Sequence, residues 1–519
     1  MPTTSIDKIR EICEKSGGIS HFLRPGGALY GLGTQHIYES SSQSAECVVQ
    51  PGTVKDLSEI MKVLAEDHHL EFAIRDAGLA SNPGFSSTTG VQISMANFNE
   101  LKYKKNKEGY ERQPKPLRIG AGCILAEVAE EMRKDGYFIV DSSPDLRVGV
   151  AGWLLGGGYS LYTNEYGLGI DNLLEVEIVL PSGEIRTASA KENPDLFFAV
   201  KGGGNNFGIV TSFTVTAYPR NAKPKEELYN RWLAFSMDES AKVKGEIIKF
   251  TEECTDRKAS VAGVYCYHRG LNNLMYPLVV LLFYNDKEAP QDMFKGFLDL
   301  VEPERSKSDR DTISSFAEMV QVCTHAPKFP LGVGHGRCPT AAEESFRGKR
   351  FDGPRAGAPR IRVGNVMLSQ CTHAFLDRIE EIFKISSWEI ESEPSKQGLA
   401  LFIHVWPFMT FVADNDSAWP HKTGQKNYPL IVILKWDEEK NDEHWVNFMQ
   451  RLIQSLRNAA NQEGCTSAEL PVDPNTAFAG DTDASAIYQQ NYDRLVHIRR
   501  DIDPHNVMDR TGGFRIGVK

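Results

Sequence analysis

Two glycine clusters constrain this chain more than any other feature. The first reads Val148-Gly149-Val150-Ala151-Gly152-Trp153-Leu154-Leu155-Gly156-Gly157-Gly158-Tyr159-Ser160. The second reads Lys201-Gly202-Gly203-Gly204-Asn205-Asn206-Phe207-Gly208-Ile209-Val210-Thr211. Consecutive glycines adopt positive φ and let backbone come close to a large ligand. Turns of successive N–H groups form concavities that hold anions such as a pyrophosphate. Neither cluster has the spacing of a Rossmann dinucleotide site; in the second, Phe207 stands where the last glycine of that fingerprint is needed.

At 519 residues the chain is too long for one simple core, so two domains are expected. Its net charge of −11 argues against nucleic acid or an anionic membrane as partner. It lacks a run of about eighteen apolar residues, so no transmembrane helix is expected. The first residues, Met1 to Arg10, lack the apolar segment of a signal peptide, which reads as a cytoplasmic protein. Nine irregularly spaced cysteines without a CxxC pair fit free thiols better than a disulfide framework.

Residues 5–16 read as a short helix, followed by a Gly/Pro-rich loop through Gly33. From Cys47 the pattern alternates: strands at 47–49, 70–74, 90–95 and 117–120, helices at 54–67 and 125–135. Residues 174–180 alternate with period two, turn at Pro181-Ser182-Gly183, and continue as a hairpin; 209–217 is another strand. This suits two small α/β lobes meeting at a ligand. Beyond Pro219 the character changes. Strands are expected at 261–268, 277–284, 361–368, 398–406 and 429–436, and helices at 238–254, 288–301, 372–385 and 442–461. The simplest assembly is an antiparallel sheet backed by helices. Residues 330–358 read as a loop rich in Gly, Pro, Arg and Lys.

The glycine clusters, the segment Asn82-Pro83-Gly84-Phe85-Ser86-Ser87 and the closing stretch Asn491-Tyr492-Asp493-Arg494-Leu495 with Ile502-Asp503-Pro504-His505-Asn506-Val507 closely resemble the berberine-bridge-like FAD-linked oxidoreductases, of the vanillyl-alcohol-oxidase or PCMH superfamily. The resemblance covers roughly residues 45–220 and resumes at the C-terminal segment. It implies an α+β fold with a discontinuous, two-lobed FAD-binding domain, 1–222 with 471–519. The substrate domain is expected over 223–470. It carries cofactor contacts onto Arg75, Asp76, Ala77, Gly78, Leu79 and Ala80, and onto Asp145, Val148, Gly149, Gly152, Gly156, Gly157, Gly158 and Tyr159. Gly208, Ile209, Val210 and Asn491 complete that set.

The chain departs from the family at its two covalent anchors. Relatives read roughly Arg-Ser-Gly-Gly-His after the second strand, and the histidine bonds to the 8α methyl of the flavin. Here the loop is Arg75-Asp76-Ala77-Gly78-Leu79, and leucine has no nucleophile. A second anchor, a cysteine three places before Val148, is Asp145 here; Cys123 matches no anchor position. FAD is therefore expected to bind without a covalent bond. A carboxylate at Asp76 costs pyrophosphate affinity unless it points away or pairs with a base such as Arg75.

The resemblance also implies that Val148 lies over the flavin, where valine accompanies oxygen reactivity. That favours an oxidase using molecular oxygen on a small, partly aromatic metabolite of specialised biosynthesis. The absent anchors leave open a flavin-retaining cyclase or isomerase without net redox, and a degenerate member that only binds a ligand. A base must take a proton while a hydride leaves. Relatives place a tyrosine four residues before Asn491, where this chain has Ile487; the adjacent Tyr488 is the candidate. In strand 398–406, Phe402, His404 and Trp406 share one face, so His404 is a second candidate and Phe402 and Trp406 candidate substrate contacts. Tyr265 and Tyr267 share a face of the 261–268 strand and offer the same. His421 reads as holding its loop, and His68-His69 as solvated. His335 and Cys338 lack the partners of a metal site, and no metal is expected. Oligomeric state is not readable.

Overall fold

The computed structural model describes residues 4–104, 113–141, 148–220, 228–268, 278–301, 360–393, 399–413 and 416–517. Asp145, the loop 330–358 and the pair His335 and Cys338 lie outside these residues.

The first lobe is a four-stranded sheet of β1 (His21–Leu23), β2 (Cys47–Gln50), β3 (Phe72–Arg75) and β4 (Val91–Ser94), ordered β1-β2-β4-β3. β2, β4 and β3 run parallel and β1 pairs antiparallel to β2. The crossover from β2 to β3 is the helix Val54–Glu66. Thr53 caps it by accepting from the Asp56 amide at 3.1 Å, and Leu57, Ile60, Met61 and Leu64 are buried one turn apart. This βαβ unit aims the C-terminal end of β3, and thus the loop from Asp76, at the centre of the molecule.

The second lobe contains β5 (Leu101–Tyr103), β6 (Lys115–Gly120), β7 (Tyr137–Phe138), β8 (Leu173–Val179), β9 (Ile185–Ser189) and β10 (Ile209–Pro219). The order is β5-β6-β10-β8-β9, all antiparallel, with β7 on the end of β10. β8 and β9 form the expected hairpin.

The third sheet consists of β11 (Tyr229–Phe235), β12 (Ala259–His268), β13 (Leu278–Tyr284), β14 (Arg360–Leu368), β15 (Ala400–Val405) and β16 (Tyr428–Trp436). It is antiparallel throughout, in the order β11-β13-β12-β15-β16-β14. Helices Ser240–Glu253, His373–Glu391 and Asp442–Gln462 cover one face and share a core with Val261, Val280, Leu401, Ile403 and Leu434. The opposite face contributes Ala262, Leu281, Phe283 and Met367 to the core of the first two lobes.

Residues beyond the third sheet return to the first core. Ile487, Tyr488, Leu495, Ile498, Val507, Met508 and Ile516 are buried in it. Asn206 fixes the return: its side chain donates to the Phe514 carbonyl at 3.0 Å and accepts from the Ile516 amide at 3.1 Å.

Some elements differ from the pattern-based expectation. The Gly/Pro-rich stretch before Gly33 contains β1 and a helix, Ala28–Thr34, which no side chain caps. Gly33 packs against Val48 so tightly that a Cβ would lie 2.5 Å from its Cγ1, so packing on β2 overrides poor propensity. β11 was not expected. The 288–301 helix shortens to Lys295–Asp299, and the 372–385 helix extends to Glu391. Among the described residues, no helix is long and apolar enough to cross a membrane, and no cysteine is in a disulfide.

Candidate active site

A cavity of about 470 Å³ lies where the three sheets meet. One wall is the loop after β3, from Asp76 to Asn82. A second is Val148, Gly149, Gly152, Trp153, Gly156 and Tyr159. A third joins Gly204–Asn206 and Gly208–Val210 to Tyr488 and the Gly512–Phe514 segment. The last is aromatic and belongs to the third sheet: Trp406, Phe408, Pro429 and Ile431, with the loop Asp473–Thr476 beside it.

The β3 loop presents bare backbone. Gly78 has φ +73°, which turns the chain there. The backbone N–H groups of Ala77, Gly78, Leu79 and Ala80 find no hydrogen-bond partner among the described residues. Unpaired amides on a cavity wall call for an anionic ligand or water. Arg75 is not in that wall. Its Nε donates to the Gln35 carbonyl at 2.8 Å, and it lies against Gly78 from behind, so it braces the turn. Burial lowers its pKa to about 10, which keeps it charged at neutral pH.

Asp76 points into the cavity rim. Its Oδ2 accepts from the Gly152 amide at 3.1 Å, while Oδ1 is buried without a partner. A Cβ on Gly149 would sit 2.0 Å from Oδ2 and 2.1 Å from Oδ1, so only glycine leaves room for this carboxyl. Burial raises its pKa to about 7, against the lowering effects of the Gly152 amide and Arg75. The carboxyl thus reaches across the corner to the Gly152 amide, 76 positions away in sequence, rather than making a local turn bond.

Leu79 lines the cavity at its seam with the third sheet, packed with Ile37, Tyr38, Ile361, Val363 and Ile433. Val148, Gly149, Gly152 and Gly156 also line it. Gly156 cannot carry a side chain, since a Cβ would lie 2.0 Å from Asn475 Oδ1, and Asn475 is tied to the Trp153 carbonyl at 3.0 Å. Gly157 and Gly158 do not reach the cavity. With φ of +101° and +88° they form the turn that delivers Tyr159. Tyr159 donates to the Asn427 carbonyl at 2.5 Å and stacks on Phe408 at 5.4 Å, joining the glycine wall to the aromatic wall.

Tyr488 is buried and lines the cavity, with its hydroxyl 3.9 Å from where a Gly204 Cβ would be; burial pushes its phenol pKa up. His404 does not line the cavity. Its cross-strand partner Ile431 on β16 does line it, and so does Trp406, just past the end of β15 on the same aromatic face. Phe402 instead packs with Val264, Cys266, Val279 and Ala400. Burial alone lowers the His404 pKa to about 4, leaving a neutral ring at pH 7.

Tyr265 and Tyr267 do not line the cavity either. They pair with Ile403 and Leu401, and opposite residues of an antiparallel pair share a face. That face is the helix-backed one; the Tyr265 hydroxyl donates to the Leu376 carbonyl at 3.4 Å. Asn491 is also outside the cavity. Its amide donates to the carbonyls of Ser417 and Ala418 at 2.9 and 3.2 Å and holds that segment against the C-terminal helix. Asn491→Ala is expected to lower stability by about 1–2 kcal/mol and leave FAD affinity unchanged. Weakened FAD binding at constant melting temperature would restore a cofactor role. His421 holds its loop, with Nε2 2.8 Å from Asp171 Oδ1 and Nδ1 3.2 Å from the Trp419 carbonyl.

One cavity carboxylate was not anticipated. Asp473 is buried beside the aromatic wall, with Oδ2 accepting from Thr476 Oγ1 at 2.5 Å and Oδ1 from the Asn475 amide at 3.3 Å. Burial outweighs those bonds and raises its pKa to about 6. Its sequence signal is only Asp-Pro-Asn, which reads as a turn.

A sequence family described as an FAD binding domain matches residues 45–189, a stretch that holds both the β3 loop and the first glycine cluster. An uncharacterized FAD-linked oxidoreductase of Arthroderma benhamiae is 28% identical over 288 residues, 55% of this chain and 54% of that protein. The bifunctional solanapyrone synthase of Alternaria solani is 34% identical over 210 residues, 40% of this chain and 39% of that protein. The chain thus spans about half the length, or less, of these curated relatives. Among solved structures, 6-hydroxy-D-nicotine oxidase of Arthrobacter nicotinovorans superposes with a TM-score of 0.67 at 18% identity, covering 96% of this chain and 97% of that one. A variant of berberine bridge enzyme in complex with (S)-reticuline gives a TM-score of 0.69 at 15% identity over 98% of both chains. The chain carries an FAD-binding domain and is built on the fold of the berberine bridge enzyme-like oxidases.

Proposed function

We propose that the protein is an FAD-dependent oxidoreductase, an oxidase that uses molecular oxygen on a small, partly aromatic metabolite and holds FAD without a covalent bond. The observation that carries this is the continuity of two chemically distinct walls in one cavity: unpaired amides and glycines at one end, Trp406, Phe408 and Tyr159 at the other. A diphosphate suits the first and a flat ring system the second. The residues present therefore fit FAD, with Asp76 as the exception. Leu79 packs on hydrocarbon neighbours and offers nothing to a flavin methyl beyond contact.

FAD, when bound, supplies a two-electron acceptor for a hydride. The chain supplies the rest. Trp406 and Phe408 orient an aromatic substrate, and the Trp406 indole N–H is buried with no partner among the described residues, a donor available to a substrate oxygen. Asp473 is the group suited to take the substrate proton: its raised pKa keeps it ionised at pH 7 yet more basic than an exposed carboxylate. Tyr488, protonated at neutral pH, can donate a hydrogen bond but not act as a resting base.

Acid precipitation of the purified yellow protein is expected to leave all flavin absorbance in the supernatant. Colour in the pellet would overturn the non-covalent reading. Substrate turnover is expected to consume oxygen and release peroxide in equal amounts; a product of unchanged mass without oxygen uptake would establish the non-redox cyclase or isomerase instead.

A further inference from the structure

The carboxyl of Asp76 is placed where an anion is least welcome. It stands at the start of the loop whose next amides, Ala77 to Ala80, are unpaired among the described residues, and it faces the Gly149–Gly152 turn across the same corner of the cavity. That corner is the part of the cavity whose lining is backbone donors rather than side chains. It is therefore the part that fits the diphosphate of the cofactor.

Among the described residues the charges around the carboxyl are few. On its own strand, Arg75 is committed to the Gln35 carbonyl behind the turn and faces away from the cavity. His36, beside Arg75, is held neutral with its pKa lowered to about 4 by burial, and its ring nitrogens meet the Thr34 carbonyl and Ser86 hydroxyl at 2.9 Å. Across the corner, Gly149, Val150, Ala151 and Gly152 bring no ionisable group. Among the described residues Asp76 thus has no salt bridge, and one of its oxygens is sealed in without a partner while the other rests on the Gly152 amide.

We infer that Asp76 couples FAD binding to uptake of a proton. The carboxylate form rests on the Gly152 amide and repels an incoming diphosphate. In the neutral form Oδ2, the oxygen not sealed in, carries the proton: its lone pair can still accept from the Gly152 amide while its O–H donates to a phosphate oxygen. No bond other than O–H forms, and the proton comes from solvent. The inference rests on the reading that FAD is held non-covalently. The group is poised for this role, since burial already raises its pKa to about 7, and an adjacent diphosphate raises it further.

The sign follows from linkage. Because the bound state carries the extra proton, FAD binding weakens as pH rises above the pKa of the free site. The limit is tenfold in Kd per pH unit for one proton. Fluorescence titration of the deflavinated protein with FAD is expected to show Kd weakening by roughly tenfold or more between pH 6 and pH 8.5. Asp76→Asn keeps the size and the Gly152 contact without the charge. It is expected to bind FAD at pH 8.5 as tightly as the wild-type protein does at pH 6, with a flat pH profile. Asp76→Ser should likewise be flat, which guards against misfolding of either variant.

A wild-type Kd that is constant over this range would overturn the inference, as would an Asn or Ser variant that keeps the slope. Acid precipitation of the holoprotein separates this from failure of the underlying reading. Flavin that stays with the denatured polypeptide removes the binding equilibrium and overturns both; free flavin with a flat Kd overturns the role of Asp76 alone.

Discussion

Asp473→Asn is expected to slow reduction of the flavin by substrate by about 10²- to 10³-fold, while the purified protein keeps its flavin and its melting temperature. Asparagine preserves the local frame: its Oδ1 can accept from the Asn475 amide, and the Thr476 hydroxyl can rotate to accept from Nδ2. What it removes is a buried base whose pKa has been raised to about 6. In the wild-type protein the rate should therefore fall as pH drops below about 6, where Asp473 takes up a proton, and the variant should lack that limb. Stopped-flow reduction under anaerobic conditions, repeated from pH 5 to 8, reads both effects. A variant with wild-type rates and an unchanged acid limb would reduce Asp473 to a turn residue.

Gly208→Ala should give the largest structural effect. Gly208 has φ +138°, open to glycine and closed to other residues, and an added Cβ would lie 2.4 Å from the Val179 carbonyl oxygen and 3.1 Å from Leu180 Cα. Both obstacles are backbone at the end of β8, so no rotamer relieves them. Strain of this kind costs on the order of 3 kcal/mol, before the displacement of Ile209 and Val210 from the cavity wall is counted. The variant is expected to purify with little or no flavin and with a clearly lowered melting temperature. The ratio of visible to ultraviolet absorbance and a thermal scan test it; full flavin at an unshifted melting temperature would show that β8 yields where the structure has it rigid.

The pattern of residues carried most of the architecture. The alternating stretch 209–217 and the candidate strand 429–436 are strands within two residues of their expected ends, and the candidate helix 442–461 is a helix with a buried face. The failures share a physical origin. β12 is buried on both faces, so alternation identifies two faces without saying which one meets the cavity; Tyr265 and Tyr267 fell on the wrong one. His404 is on the right face and level with the cavity-lining Ile431, yet outside the lining; which positions of a face border a cavity depends on how the sheet docks, which local pattern does not contain. Leu79 was legible because a motif fixes its position relative to Arg75 and Asn82. Asp473 was not, because a carboxylate in a proline-bound turn has no period, and its raised pKa comes from burial, which tertiary packing sets.

The return of residues 512–516 has a consequence for how the protein is made. Asn205 and Asn206 lie against a segment some 300 residues downstream, through contacts separated by 307 to 310 positions. Gly512 to Phe514 form part of the cavity wall. During synthesis both glycine clusters leave the ribosome long before that wall exists. That wall is therefore absent until translation has passed Phe514, and FAD cannot be fully enclosed before then. Contacts of such sequence separation form slowly. The cavity thus closes late in folding, and a chain cut short before Gly512 is expected to lack one of its walls.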